Sequence, residues 1–155
     1  MRIIELLQED RVKVFLDQRG KDGVLGELVD LAMAGRPEGE RAAALRAVYE
    51  REAVASTGIG HGVAVPHAKI PNGDGLLVAF GLAREPVSFD AIDGEPVRLF
   101  FLVLCPQGEA GLQLRFLARL SRLMHNESLR GRLVECSGAS EALDALREYE
   151  THHFG

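Results

Sequence analysis

The chain is poor in several things, and each shortage removes a class of function. Its 155 residues include only two cysteines, Cys105 and Cys136, far apart and matching no C-x-x-C pair or metal-ligand spacing. A redox role is therefore unsupported, and both are expected to be small core hydrophobes in a reducing compartment. Basic residues are outnumbered, with 18 Lys and Arg against 23 Asp and Glu and a net charge of −5. Counterion release from nucleic acid needs a dense cationic surface, so nucleic acid is set aside as the main partner, while acidic small ligands remain open. The opening MRIIELLQEDR meets an acid at Glu5 before any long apolar run forms, which argues against a signal peptide or membrane span and predicts a cytoplasmic protein without membrane insertion. Neither a linker, an internal repeat nor a low-complexity segment is visible. The expectation is one domain over residues 1–150 with a frayed tail, THHFG, over 151–155.

What is present is an ordinary globular balance, 46% hydrophobic and 26% charged residues, on a chain long enough to bury its own core. Apolar spacing predicts a short helix over 3–9, a strand at VKVFL (12–16), and helices over about 22–34 and 39–52, separated by Gly35-Arg36-Pro37. GVAVP reads as a strand, PNGDG (71–75) as a turn, and LLVAFGLA (76–83) and VRLFFLVLC (97–105) as buried strands. Helices are expected over roughly 109–124, 127–135 and 139–149. Strand and helix alternate through the first two thirds. The fold class is therefore α/β, a single domain with a mixed, mostly parallel sheet flanked by helices on both faces.

The stretch REAVASTGIGHGVAVPHAKI (51–70) carries the chemistry. Its glycines suggest a nucleotide loop, but a dinucleotide fingerprint runs strand, loop, helix, and here the order is helix, loop, strand. No Gly-Lys-Ser/Thr follows, so a Walker A loop is excluded as well. The plain reading is a flexible helix-to-strand connection. The functional reading is an oxyanion site in which the Ser56 and Thr57 hydroxyls and the amides around Gly58, Gly60 and Gly62 converge on a phosphate, because glycine leaves backbone N–H groups unobstructed. Arg51, near the end of the preceding helix, adds a guanidinium able to grip phosphate oxygens in a bidentate manner.

His67 offers a neutral nitrogen lone pair at pH 7, and Pro66 fixes the backbone that enters it. An imidazole can accept a phosphoryl group on one ring nitrogen while the other donates to a backbone carbonyl. The competing chemistry is a metal held by His61 and His67. In extended chain, six residues separate them by roughly 20 Å, too far to share one ion, and no Cys or carboxylate cluster completes a site. No metal is expected. Taken without its neighbours, His67 would read as an ordinary core or surface histidine.

In order, Arg51-Glu52, Ser56-Thr57-Gly58-Ile59-Gly60, Gly62-Val63-Ala64 and Pro66-His67-Ala68-Lys69 resemble the phosphorylation motif of the type-2 enzyme IIA domains of the bacterial phosphoenolpyruvate-dependent phosphotransferase system, the fructose, mannitol and nitrogen-regulatory group. The resemblance continues through Phe89-Asp90, Ala91-Ile92-Asp93-Gly94, Pro96-Val97 and the apolar strand ending at Cys105-Pro106, and so covers nearly the whole chain. It implies a mixed sheet flanked by helices and a phosphocarrier, with His67 as phosphoacceptor and Arg51 steadying the phosphoryl group. It also implies HPr, charged by enzyme I, as phosphoryl donor, a IIB component as acceptor in sugar-transporting members, and no bound cofactor.

One position departs from the family's pattern. The family usually carries a second active-site histidine at the start of the long helix after the last strand, and the matching register here holds Gln113, in Gln113-Leu114-Arg115-Phe116-Leu117. A glutamine amide can donate to a phosphoryl oxygen but cannot carry positive charge. His125 lies about three helical turns further on and is discounted as a replacement. Arg115, Arg119 and Arg122 line one face of the same helix, either as solvated surface or as a docking face for an acidic partner. The chain carries no fused IIB, HPr or membrane segment, which favours a nitrogen-regulatory IIA. The alternatives are a fructose- or mannitol-type IIA of a split permease, or a docking module that regulates a transporter or kinase and has lost phosphorylation.

Overall fold

Two strands too apolar to face water on either side form the centre of the computed structural model, which describes residues 1–154. Strand β5 (Leu77–Val87) pairs antiparallel with β6 (Val97–Pro106), placing Phe80 opposite Phe101 and Leu77 opposite Leu104. Of the ten β6 residues only Arg98 is not fully buried. Strand β1 (Val12–Leu16) adds in parallel to the outer edge of β5. Along the other edge of β6 lie β3 (Val63–Ala64) and β4 (His67–Ile70), both parallel to it, and β2 (Gly58–Gly60) closes antiparallel on β3. The sheet is mixed as expected, with three of its five pairings parallel.

Side chains alternate across the two faces of β6, so each face needs its own cover. Helices α2 (Lys21–Ala32) and α3 (Glu38–Val54) bury Leu25, Leu28 and Val48 against Ala79, Phe100 and Leu102. On the opposite face, α1 (Ile3–Leu6), α4 (Ala110–Met124), α5 (Glu127–Val134) and α6 (Ala139–Phe154) bury Phe116, Leu120 and Leu146 against Phe80, Phe101 and Val103. Cys105 and Cys136 are free, buried members of this second core, and burial pushes both thiols above their ordinary pKa.

Three local details differ from the expectations. GVAVP is not one strand: the ladder breaks at Val65-Pro66, since proline has no N–H to donate. Yet Ala64 opposite Phe100 and His67 opposite Val103 keep one register along β6, and the Pro66 carbonyl still accepts from the Val103 N–H at 3.0 Å. The predicted first helix ends at Leu6, with a separate 3-10 turn at Glu9–Arg11. Residues 151–154, expected to fray, continue α6 to Phe154; residue 155 lies outside the described residues.

The tail is held because Glu150 is wholly buried and pairs in three directions. It accepts from the N–H groups of Ile3 at 2.6 Å and Ile4 at 3.0 Å, the orphan donors of α1, and from Arg119 Nε on α4 at 2.6 Å. Arg119 and Arg122 then stack over the Phe154 ring, so two of the three arginines of the α4 stripe pack on α6. Breaking one side of a buried ion pair leaves an uncompensated charge. Glu150→Ala is therefore expected to lower unfolding stability by about 3 kcal/mol, read from the urea midpoint at constant m-value.

The β2–β3 hairpin turns on Gly60, His61 and Gly62, all at positive φ. The loop 88–94 braces it: Asp93 accepts from the His61 N–H at 3.0 Å and from the Glu95 N–H at 3.0 Å. These backbone donors, that of Glu95 foremost, hold the Asp93 carboxyl below the usual aspartate range. A depressed folded-state pKa contributes stability above the unfolded pKa of about 4, lost as pH falls through the folded value. In Asp93→Asn the fall in urea midpoint below pH 4 is expected to be shallower than in the parent.

Candidate functional site

His67 opens β4, and its position follows from the parallel register. Opposite Val103, it shares that residue's sheet face, the α4 face, as does Lys69 opposite Cys105; Ala68 and Ile70 point into the other core. The ring is half-buried, and Nδ1 lies 2.9 Å from the Val65 carbonyl oxygen. A carbonyl only accepts, so in this contact Nδ1 carries a proton, and in the neutral ring the lone pair lies on Nε2.

Val65 is itself held from outside the strand. Its N–H donates to the Thr57 carbonyl at 2.9 Å, so the chain leaving α3 runs beside the residue that fixes His67. Arg51 lies in the last turn of α3, six residues before Thr57. One guanidinium nitrogen of Arg51 donates to the Ala55 carbonyl at 2.9 Å and the side chain remains half-buried. The other donors of its planar fork make no further hydrogen bond among the described residues.

Two residues without a role in the sequence reading build this corner. Glu52 is 7% exposed and takes both polar groups of Thr57: the N–H at 3.0 Å and the hydroxyl at 2.5 Å. Lys21 Nζ lies 3.1 Å from the same carboxylate, donates to the Phe89 carbonyl at 3.2 Å and sits over the Phe89 ring. Glu52 could have been noticed: Ala44, Val48 and Glu52 fall four apart on the buried stripe of α3, where an acid is out of place unless paired. Lys21 gives a fainter signal, a cation in the first turn of α2, the wrong end of the helix dipole. Its partner is invisible without the fold.

The residues read as a phosphate loop divide. Thr57 is engaged by Glu52. The Ser56 hydroxyl donates to the Phe89 carbonyl at 2.7 Å and accepts from the Gly58 N–H at 3.1 Å. Gly58 has a steric reason: a Cβ there would lie 2.9 Å from Ala91 Cα, so loop 88–94 could not close on it. Gly60 and Gly62 shape the hairpin turn, whose Gly62 carbonyl meets the N–H groups of Arg98 and Leu99. His67 pairs four residues further along β6, roughly 13 Å away at strand spacing. His61 stands by the other end of α4, its ring 6.1 Å from that of His125. Among the described residues no three His, Cys, Asp or Glu side chains converge as metal ligands.

Gln113 belongs to the helix that covers the sheet face shared by His67. It sits in the first turn of α4, three residues before Phe116 and seven before Leu120, the buried residues by which α4 packs on that face. Its Oε1 is buried and accepts no hydrogen bond from the protein. Rotating the amide would put the NH2 group in the same place, so this carboxamide is uncommitted and can present either polarity. No described helix is long and apolar enough to cross a membrane.

Comparison with known proteins gives a consistent answer. Residues 5–149 match the family described as "Phosphoenolpyruvate-dependent sugar phosphotransferase system, EIIA 2". The chain is 31% identical over 150 residues to the fructose-specific EIIABC component of Bacillus subtilis, covering 97% of this chain but only 24% of that longer protein. It is 40% identical over 129 residues to the fructose-specific EIIA component of Haloferax volcanii, covering 83% of each. The crystal structure of nitrogen regulatory protein IIA-Ntr from Neisseria meningitidis superposes with a TM-score of 0.85 at 32% identity, covering 93% of this chain and 98% of that one. With a mixed sheet covered on both faces and a histidine aimed from its edge strand, the chain belongs to the EIIA type 2 family of the phosphoenolpyruvate-dependent sugar phosphotransferase system.

Proposed function

We propose that the protein is a phosphohistidine carrier, with His67 Nε2 as the acceptor atom. The observation that carries this reading is the contact of Nδ1 with the Val65 carbonyl, which leaves the lone pair on the outward nitrogen. In the transfer step that lone pair forms the new P–N bond. The bond from phosphorus to the donor's histidine breaks, and its electron pair stays on the donor nitrogen. The Nδ1 proton stays on His67, held by Val65, and keeps the phosphorylated ring a good leaving group for the second transfer. The protein contributes position and charge, the main needs of phosphoryl transfer.

Arg51 supplies the positive charge for the transferring oxygens, and the Gln113 amide, turned to present its NH2, supplies a neutral donor. In this reading Ser56, Thr57 and Gly58, already bonded within the protein, shape the site, and the hairpin glycines Gly60 and Gly62 form the turn. The donor in this proposal is phospho-HPr, acting in the cytoplasm. We read the chain as a nitrogen-regulatory IIA, supported by its likeness to IIA-Ntr. The fructose-specific relatives support the alternative, a sugar-specific IIA that passes the group to a IIB component. A third reading, a docking module without phosphorylation, is favoured by Gln113, whose neutral amide cannot provide the charge of a second histidine.

With phosphoenolpyruvate, enzyme I and HPr, the protein is expected to gain one acid-labile phosphoryl group by intact mass, and His67→Ala none. Removing a charge-assisted hydrogen bond costs about 1.5–3 kcal/mol, so Arg51→Ala is expected to slow labelling about 10- to 100-fold. Absence of labelling with partners proven active leaves the docking module as the function.

A further inference from the structure

We propose that the ion pair of buried Glu52 and half-buried Lys21 is a positioning device for His67, holding its ring with the proton on Nδ1 and the lone pair on Nε2 by way of Thr57 and Val65. The connection is continuous. Lys21 Nζ contacts Glu52 at 3.1 Å, Glu52 takes both donors of Thr57, the Thr57 carbonyl takes the Val65 N–H, and the Val65 carbonyl takes His67 Nδ1. Each link fixes the next. Val65 needs such support because Pro66 breaks the ladder beside it, leaving this residue outside both β3 and β4. Without Thr57 its N–H would have no place in the sheet.

Stability alone does not account for the pair. A buried ion pair adds little over apolar residues of the same size, and Lys21 occupies the helix end where a cation is disfavoured. What the pair supplies is direction: the carboxylate presents one oxygen to the Thr57 hydroxyl and the other to its N–H, and Lys21 holds that carboxylate turned the right way. Lys21 also ties the Phe89 carbonyl, which receives the Ser56 hydroxyl, to the same point. Residues 56 and 57 are thus held from α2, α3 and loop 88–94 together. Glu52 and Lys21 act through other residues and need not touch a phosphoryl group, so they are positioning residues in the carrier reading on which this inference rests.

The primary test is the tautomer of His67, read from its ring 15N shifts, with His67→Ala to assign the signals. The parent is expected to show the proton on Nδ1. Glu52→Gln, Lys21→Met and Thr57→Val are each expected to give a tautomer mixture at His67 and about tenfold slower phosphorylation, the scale of rate loss expected from a small misplacement. Thr57→Ser is expected to recover what Thr57→Val loses, because it restores the hydroxyl. Glu150→Ala removes a buried carboxylate elsewhere and serves as the stability control: it should lower the urea midpoint and leave the His67 tautomer as in the parent. If Glu52→Gln fails to fold, Lys21→Met and Thr57→Val read the same connection from its two ends. An unchanged tautomer in folded variants, a parent without the Nδ1 proton, or an equal response to Glu150→Ala overturns the proposal. The tautomer is read without any phosphoryl donor. A tautomer shift in the variants with an unlabelled parent therefore upholds the positioning and refutes the carrier, and a labelled parent with unaffected variants does the reverse.

Discussion

The site depends on residues 63–70 lying along one edge of β6 in a single register although Pro66 sits in their middle. A proline here removes a donor, and a ladder losing one bond is free to slip by a residue. A one-residue slip would turn His67 from the α4 face into the α2–α3 core. Slippage is opposed from both sides: Val103 still donates to the Pro66 carbonyl, and the Val65 N–H finds Thr57 outside the ladder. The Val65 carbonyl points away from β6, on the side of its own N–H, and there it meets the imidazole.

Two buried carboxylates do similar work at opposite ends of the molecule. Glu52 gathers the chain leaving α3, and Glu150 gathers the first turn of α1. Each completes the buried stripe of its helix and takes backbone N–H groups that would otherwise go unpaired. Each also meets one cation from a different helix, Lys21 in one case and Arg119 in the other. Such sites cost desolvation and return definite geometry. At Glu150 the geometry closes the α4 face of the sheet, and at Glu52 it governs the segment leading to His67.

In the proposed carrier site the family pattern of two histidines gives way to His67 with Arg51 and Gln113. Gln113 is half-buried, and its buried Oε1 has no donor. A buried polar atom without a partner is costly. A neutral amide can serve a phosphorylated and an unphosphorylated histidine by turning over, accepting in one state and donating in the other.

The sequence by itself determined the fold class and the order of nearly every element, and it singled out His67 as the residue on which the proposed function rests. These rest on local quantities: strand alternation, helical spacing, the apolar density of 77–87 and 97–106, and an ordered motif around Pro66-His67. It also put Gln113 near the start of a helix, because that position follows from counting along one strand and one helix. Only the tertiary structure decided which polar atoms were free. Thr57 and Ser56 read as phosphate donors because a sequence shows their hydroxyls and hides Glu52 and Phe89 opposite them. His61, read as too far from His67 to share an ion with it, stands against His125, a contact the sequence does not show. The arginine stripe of α4 read as surface or docking face until Glu150 and Phe154 packed against two of its members. Side-chain type is written in the chain, but a hydrogen bond needs a partner in space. Lys21 and Glu52, 31 positions apart in the sequence, become partners only when α2 and α3 pack side by side.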